Sequence, residues 1–252
     1  MMQNSLRTRG VSFALLFGPS RILQREEAMK FHGAVCDKLG HDDISFQYHK
    51  PDLDQRPSAD RFEIRLQRKE GRGGYTIVVD NSGIQKPIRL LISYDWPPSP
   101  QHVAEVFDQV CDVTFKELEG NWQRVLAEVR LRAQCSVSEK DAVGYVTKRL
   151  LGLKAEAIER LGQPLVFGSV KLEIASAGFA GDSLENPKRE ILLEVLREDP
   201  SNLYLEVMSQ WSQFPDPTQI DLRSVRPIDR EPREYVEEAR DFLQKHVLAL
   251  GT

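Results

Sequence analysis

The densest cluster of chemistry-bearing residues is Gly40-His41-Asp42-Asp43, followed by His49, Asp52 and Asp54. Imidazole and carboxylate groups together can hold a divalent cation or move protons. His41, Asp43 and His49 are therefore the metal-ligand candidates. A hydrolase built on His-Asp pairs needs more such ligands, carried on helices, whereas His41 falls in a turn just after a helix. His41 and His49 are eight residues apart across an expected strand, roughly 25 Å at ~3.3 Å per residue, so sharing a site requires a bend. The plainer reading makes them turn residues, with His41 favourable beside a helix C-terminus. The spacing implies no cofactor.

Gly71-Arg72-Gly73-Gly74 is glycine-rich but lies between two strands. A phosphate-cradling loop runs from strand into helix and carries Lys-Ser/Thr, which is missing, so a hairpin turn is expected. G-x-S-x-G, H-E-x-x-H and the kinase motif set do not occur. Cys36, Cys111 and Cys135 are far apart and odd in number, with no C-x-x-C, which points to reduced thiols in a cytoplasmic protein. The most basic stretch is Arg61, Arg65, Arg68, Lys69 and Arg72. Arg65 and Lys69 share one strand face and Arg68 takes the other. That pattern suits either an anion contact or an edge strand protected by charge.

The elements that position these residues follow from periodicity. Val11, Phe13, Leu15 and Phe17 alternate along an opening strand; Arg7 and Arg9 before it mimic a signal peptide, but no small-residue cleavage site follows. A helix is expected from about Arg21 to Leu39, with Gly40 as its left-handed cap. Four strands follow around Phe46, Ile64, Ile77 and Leu90, joined by short connections as an antiparallel meander. Ser99-Pro100 then opens a second helix. The order begins again with a strand over Val125–Cys135 and a helix from about Glu139 to Leu161, capped by Ser138, in which Leu151 and Gly152 mark an exposed apolar spot or a break. Strands around Leu172, Leu193 and Leu205, a short one at Ile220 and Leu222, and a helix from Pro232 complete the second half.

Glu63-Ile64-Arg65-Leu66 is echoed by Glu190-Ile191-Leu192-Leu193, and Ile88-Arg89-Leu90 by Ile220-Asp221-Leu222. The expected fold class is α+β, with two similar β-α-β-β-β-β-α halves, 1–120 and 121–252, packed as one body with helices on one face of the sheets. This element order resembles the duplicated saddle of the TATA-binding-protein-like fold and, more loosely, the helix-grip fold. The stretch Arg124–Arg132 is similar to one in an uncharacterised, sporadically distributed prokaryotic family. These resemblances imply an architecture and bring no chemistry.

The chain has 252 residues, 34 basic and 38 acidic, with a net charge of −4. No stretch approaches the ~20 apolar residues of a membrane span. The polar alternates on the expected open sheet face are of mixed sign. Carboxylates there repel phosphates, so nucleic acid is possible but not favoured. A protein partner or self-association fits better, giving a non-catalytic interaction or accessory subunit. The alternatives are a nucleic-acid module, or a ligand-binding or enzymatic domain using a helix–sheet cavity. Candidate interaction residues are Arg65, Lys69, Arg130 and Arg132 on the open face. Trp211 and Phe214, at the start of the Pro-rich connection 212–231, can anchor it on the body or on a partner.

Overall fold

Strict alternation along the first strand decides the architecture. In β1 (Arg7–Gly18), Val11, Phe13, Leu15 and Phe17 are buried, while Ser12, Ala14 and Leu16 face the opposite side and are partly exposed. A strand with one buried and one open face needs a helix layer on one side only. The computed structural model describes residues 6–18, 23–49, 62–81, 87–118, 123–137, 141–154, 156, 160, 168–174, 187–196, 198–212 and 230–247.

The other strands are β2 (Ser45–His49), β3 (Phe62–Glu70), β4 (Gly73–Asn81), β5 (Ile88–Asp95), β6 (Gln123–Ser136), β7 (Ser169–Ile174), β8 (Lys188–Val195) and β9 (Asn202–Ser212). They form one nine-stranded sheet in the order β2-β3-β4-β5-β1-β6-β9-β8-β7. All neighbouring pairs are antiparallel. β1 and β6 form the central pair, in register from Arg7↔Gln134 to Gly18↔Gln123. Outward from β1 come β5, β4, β3 and β2; outward from β6 come β9, β8 and β7.

Among the described residues four helices pack against one face: α1 (Arg25–Leu39), α2 (Pro100–Glu117), α3 (Ala142–Gly144) and α4 (Pro232–Phe242). α1 ends at Gly40, whose φ of 67° is the left-handed cap that glycine adopts freely. α2 begins at Ser99, whose side chain accepts from the His102 N–H at 3.1 Å, with Pro100 in the first turn. α4 opens with reciprocal bonds between Glu231 and Glu234. Among the described residues no helix is long and apolar enough to cross a membrane. The core falls into two clusters. The larger lies under α1, α2 and α4 against the strands from β3 to β6. The smaller lies under α3 and the end of α4, against β8 and β9.

Two expectations need correction. The helix over Glu139–Leu161 is not continuous and breaks at Leu151–Gly152, one of the two readings expected there: α3 passes into a single π-helical turn, Tyr145–Leu150, and Glu156 is helical again, its carbonyl accepting from the Arg160 N–H at 3.2 Å. Leu153 N–H then folds back to the Thr147 carbonyl, and Gly152 takes φ 64°. That reversal is a glycine-based C-terminal stop. Its N-terminal cap is Asp141, which accepts from the Gly144 N–H at 2.8 Å; Ser138, the expected cap, lies outside the described residues. The basic strand β3 is not an edge, because β2 lies outside it. The hairpin expected at Gly71–Gly74 is present, with Gly71 at φ 56°. The strand expected at Ile220 and Leu222 lies outside the described residues.

Candidate functional site

Register places the polar alternates in rows across the open face. One row runs Glu63, Asp80, Arg89, Leu16, Leu126. The next runs Arg65, Val78, Leu91, Ala14, Glu128, Gln210. A third holds Thr76, Ser93, Ser12, Arg130 and Met208, and a fourth Asp95, Gly10, Arg132 and Glu206. These rows line a concave cleft of about 740 Å³. Its centre is apolar, built from Ala14, Leu16, Val78, Leu91 and Leu126, and its flanks are charged.

Most of those charges are paired. Arg89 donates to both Asp80 oxygens, at 3.2 and 2.5 Å, and that hydrogen bonding holds its guanidinium pKa above the ordinary value. Arg65 meets Glu63 at 3.0 Å. Arg130 bridges Glu206 at 3.2 Å and Glu128 at 3.5 Å, and touches the Met208 sulfur at 3.4 Å. Arg132 reaches Asp95 at 2.9 Å. The Tyr204 hydroxyl donates to Glu206 at 2.6 Å; burial first, and that bond second, push its pKa up. Each exposed pair contributes roughly 0–1 kcal/mol, so the pattern acts more on register and partner choice than on stability.

One corner of the face departs from this pairing. Trp96 follows β5 and has φ 51°, which among the described residues no other non-glycine shares. A left-handed backbone at a bulky residue costs about 1–2 kcal/mol and persists only where surroundings enforce it. Here the Trp96 N–H is held by the Arg9 carbonyl at 2.8 Å. The guanidiniums of Arg7 and Arg9 lie 4.9 and 5.0 Å from the indole. Among the described residues neither arginine meets a carboxylate. The β1 bulge at Arg9 brings Gly10 under Arg132, where a Cβ would stand 2.7 Å from the guanidinium. A glycine at this position lets Arg132 lie flat on the strand. Sequence reasoning identified Arg132 but missed Arg7, Arg9, Trp96 and Tyr204. The pattern Arg7-x-Arg9-Gly10 was visible, but the bulge that aims it at Trp96 was not.

The remaining candidates divide. His41 and Asp43 come together, but on Arg68 rather than on a shared open site. Arg68 Nε donates to Asp43 at 2.7 Å, Nη1 lies 3.0 Å from His41 Nε2, and Nη1 also bonds Glu70. A guanidinium only donates, so His41 Nε2 accepts and its proton sits on Nδ1. The hydrogen bond from Arg68 holds the Asp43 carboxyl below the usual carboxylate range. His49 stands at the far end of β2, opposite Glu63. Among the described residues no group of three or more His, Cys, Asp and Glu side chains could hold a metal ion. Lys69 lies on the open face beyond Arg65 and opposite Gly74.

Trp211 faces the helices and is fully buried, its ring 4.8 Å from Tyr235. It anchors β9 to the body and is not presented to a partner. Phe214 lies outside the described residues. Burial pushes the Cys135 thiol up to about 11 and also raises Cys36, so neither is primed as a thiolate. A second cleft, of about 830 Å³, runs along α4, where Arg189 and Arg230 both reach Glu238 at 2.9 Å. No family model matches the sequence, and no curated protein matches it.

Proposed function

We propose that this chain is a non-catalytic accessory subunit that receives a protein partner in the concave face of its sheet. The observation that carries this reading is the division of that face into an apolar centre, a paired ionic rim and one corner where two arginines, meeting no carboxylate among the described residues, lie over a tryptophan. Buried apolar centres ringed by polar groups are the general anatomy of protein interfaces, in which Trp, Tyr and Arg are enriched. The corner suits an acidic segment of the partner, with the apolar centre taking its hydrophobic side. From Leu16 to Gly10 along β1 is roughly 20 Å at ~3.4 Å per residue, the length of about four helical turns.

The chain is read as two repeats, 1–120 and 121–252, in a saddle like that of the TATA-binding-protein-like fold. The mirrored strand order about β1 and β6 supports this. Duplex or single-stranded nucleic acid is the less favoured occupant. Glu63, Asp80, Glu128 and Glu206 are spread over the same surface and oppose phosphates.

The test is affinity capture on the purified chain, comparing wild type with an Arg9→Glu/Leu91→Glu variant and with Glu237→Lys on α4. A partner of the open face is captured at least ~10-fold less by the first variant and equally by the second. Equal capture by all three overturns the reading. Tight binding of labelled RNA or DNA at low salt, lost in the Arg9 variant, replaces it with the nucleic-acid one.

A further inference from the structure

The two outer strands of the sheet are finished differently, and the difference points to a second surface. β2 is closed from the helix side: Phe46 stacks on His32 at 5.2 Å, and the Tyr48 hydroxyl donates to the Leu23 carbonyl at 2.8 Å. β7 is left open. Leu172 and Ile174 are 38% and 42% exposed, and Leu151 and Leu153, just beyond the π turn, are 48% and 41% exposed. These four are all but one of the large apolar side chains exposed among the described residues; the fifth is Met29 on α1. β7 is last in the sheet order, so no described strand pairs with its outer side. An exposed apolar edge is normally blunted by charge, proline or a bulge, because it templates pairing with another chain.

The β7 sequence, Ser169-Val170-Lys171-Leu172-Glu173-Ile174, is complementary to itself in the antiparallel sense. Turned about Leu172, it sets Leu172 against Leu172 of a second copy, Val170 against Ile174, and Lys171 against Glu173. The apolar residues stay on the helix side and the charged ones on the open side, as the strand period requires. Within one chain Lys171 pairs with Glu190 at 3.0 Å and Glu173 with Lys188 at 2.6 Å. Pairing two copies therefore links these bridges into an alternating row of four charges, Glu190, Lys171, Glu173, Lys188, on each side of the two-fold axis. β2 offers no such match, since turning it about Gln47 opposes Ser45 to His49 and brings no charges together.

We propose that β7 is a homodimerisation edge, joining two copies of this chain antiparallel about Leu172 into one continuous sheet. The contact is isologous, so it closes at two copies and does not run on as a fibre. It lies at the far end of the sheet from β2 and is independent of a partner in the concave face.

The test uses the full chain at ~100 µM, a concentration at which a six-residue edge contact of modest area can still be populated. Sedimentation is expected to show a reversible monomer–dimer equilibrium. Lys171→Glu weakens it at least ~10-fold, and adding Glu173→Lys restores it to within ~3-fold, although the double variant loses both intrachain bridges. Leu172→Cys gives a disulfide-linked dimer on mild oxidation, since directly opposed residues have Cα atoms ~4.5–5.5 Å apart. Ile174→Cys, which faces Val170, does not. A wild-type chain that stays monomeric and a Leu172→Cys chain that fails to cross-link overturn the proposal. So does equal cross-linking by Ile174→Cys, which rejects the register.

Discussion

The two ends of the sheet solve the same problem with unequal means. At the β2–β3 end the helix α1, 15 residues long, lays Ala28, Phe31 and Val35 on the strands, all fully buried. Arg68 then ties the corner together through Asp43, His41 and Glu70, and Glu70 accepts from the Tyr94 hydroxyl at 2.8 Å. At the β7 end the cover among the described residues is a three-residue α3 and one π turn, stopped by Gly152. There Val170 packs against the smaller core, but Leu172 and Ile174 of β7 stay partly exposed. Similar strand orders therefore yield one sealed flank and one open one. The sealed flank carries stability and the open flank is available for association.

That contrast predicts unequal costs for truncating apolar side chains. Phe31→Ala empties a fully buried site between α1 and the sheet and costs about 3–5 kcal/mol. Leu172→Ala removes a side chain already 38% exposed and costs under about 1 kcal/mol in the monomer. Urea unfolding of both variants at low protein concentration measures the difference. Equal costs would mean that the β7 end is as tightly covered as the other.

Much of the fold was legible in the sequence but this asymmetry was not, since two similar halves were expected, and the limits are physical. Period-two runs such as Val11 to Phe17 and Ile88 to Tyr94 fix strands and their buried faces, because register cannot slip without exposing the core. Ser99-Pro100 and Gly40 marked helix ends correctly because caps are local chemistry. The helix at 139–161 was over-read as one element, although a break at Leu151 and Gly152 was one of the readings there. Its stripe of Tyr145, Val146, Leu150 and Leu153 looks helical, but a glycine in the left-handed region outweighs propensity two residues after Leu150. The convergence of His41 and Asp43 was also invisible as chemistry. It depends on Arg68, 25 residues beyond Asp43, crossing to the helix side of β3. The Arg7–Arg9–Trp96 corner arises from a bulge and a strained φ, neither of which composition or periodicity encodes.

Glycines sharpen the comparison at smaller cost. Gly74, at φ 135°, leaves no room for a Cβ, which would sit 2.1 Å from the Arg68 carbonyl oxygen. Gly74→Ala costs about 3 kcal/mol by displacing the β3–β4 hairpin that aims Arg68. Gly152 has φ 64° and nothing within 4 Å, so Gly152→Ala meets only the left-handed backbone penalty of about 1 kcal/mol. Thermal unfolding of the two variants gives the ratio. A larger loss at Gly152 would place the stop after the π turn among the elements that hold the fold.

The smallest effect sits in the seam between the two flanks, where α2 meets α4. Asp108 on α2 accepts from the Arg233 backbone N–H; burial chiefly, with the charges of Glu231 and Asp112, raises its carboxyl above the usual range. The folded chain thus holds this proton to higher pH than the unfolded chain. The stability this gives is fully present in acid, below the unfolded pKa, and is lost as pH rises through the folded value. Asp108→Asn keeps an acceptor for Arg233 but removes the charge. It should stabilise the protein at pH 7 by less than about 1 kcal/mol, screening on its open side being considerable, and change little near pH 3. Asp43 carries the opposite sign. Its pKa is depressed by Arg68, so its contribution is present above the unfolded pKa and lost as pH falls through the folded one. Asp43→Asn should therefore destabilise at pH 7 and do nothing in acid. Urea midpoints of both variants at the two pH values separate the seam from the sealed flank. A gain for Asp108→Asn that is equal at both would show packing, not charge, to be limiting where the flanks join.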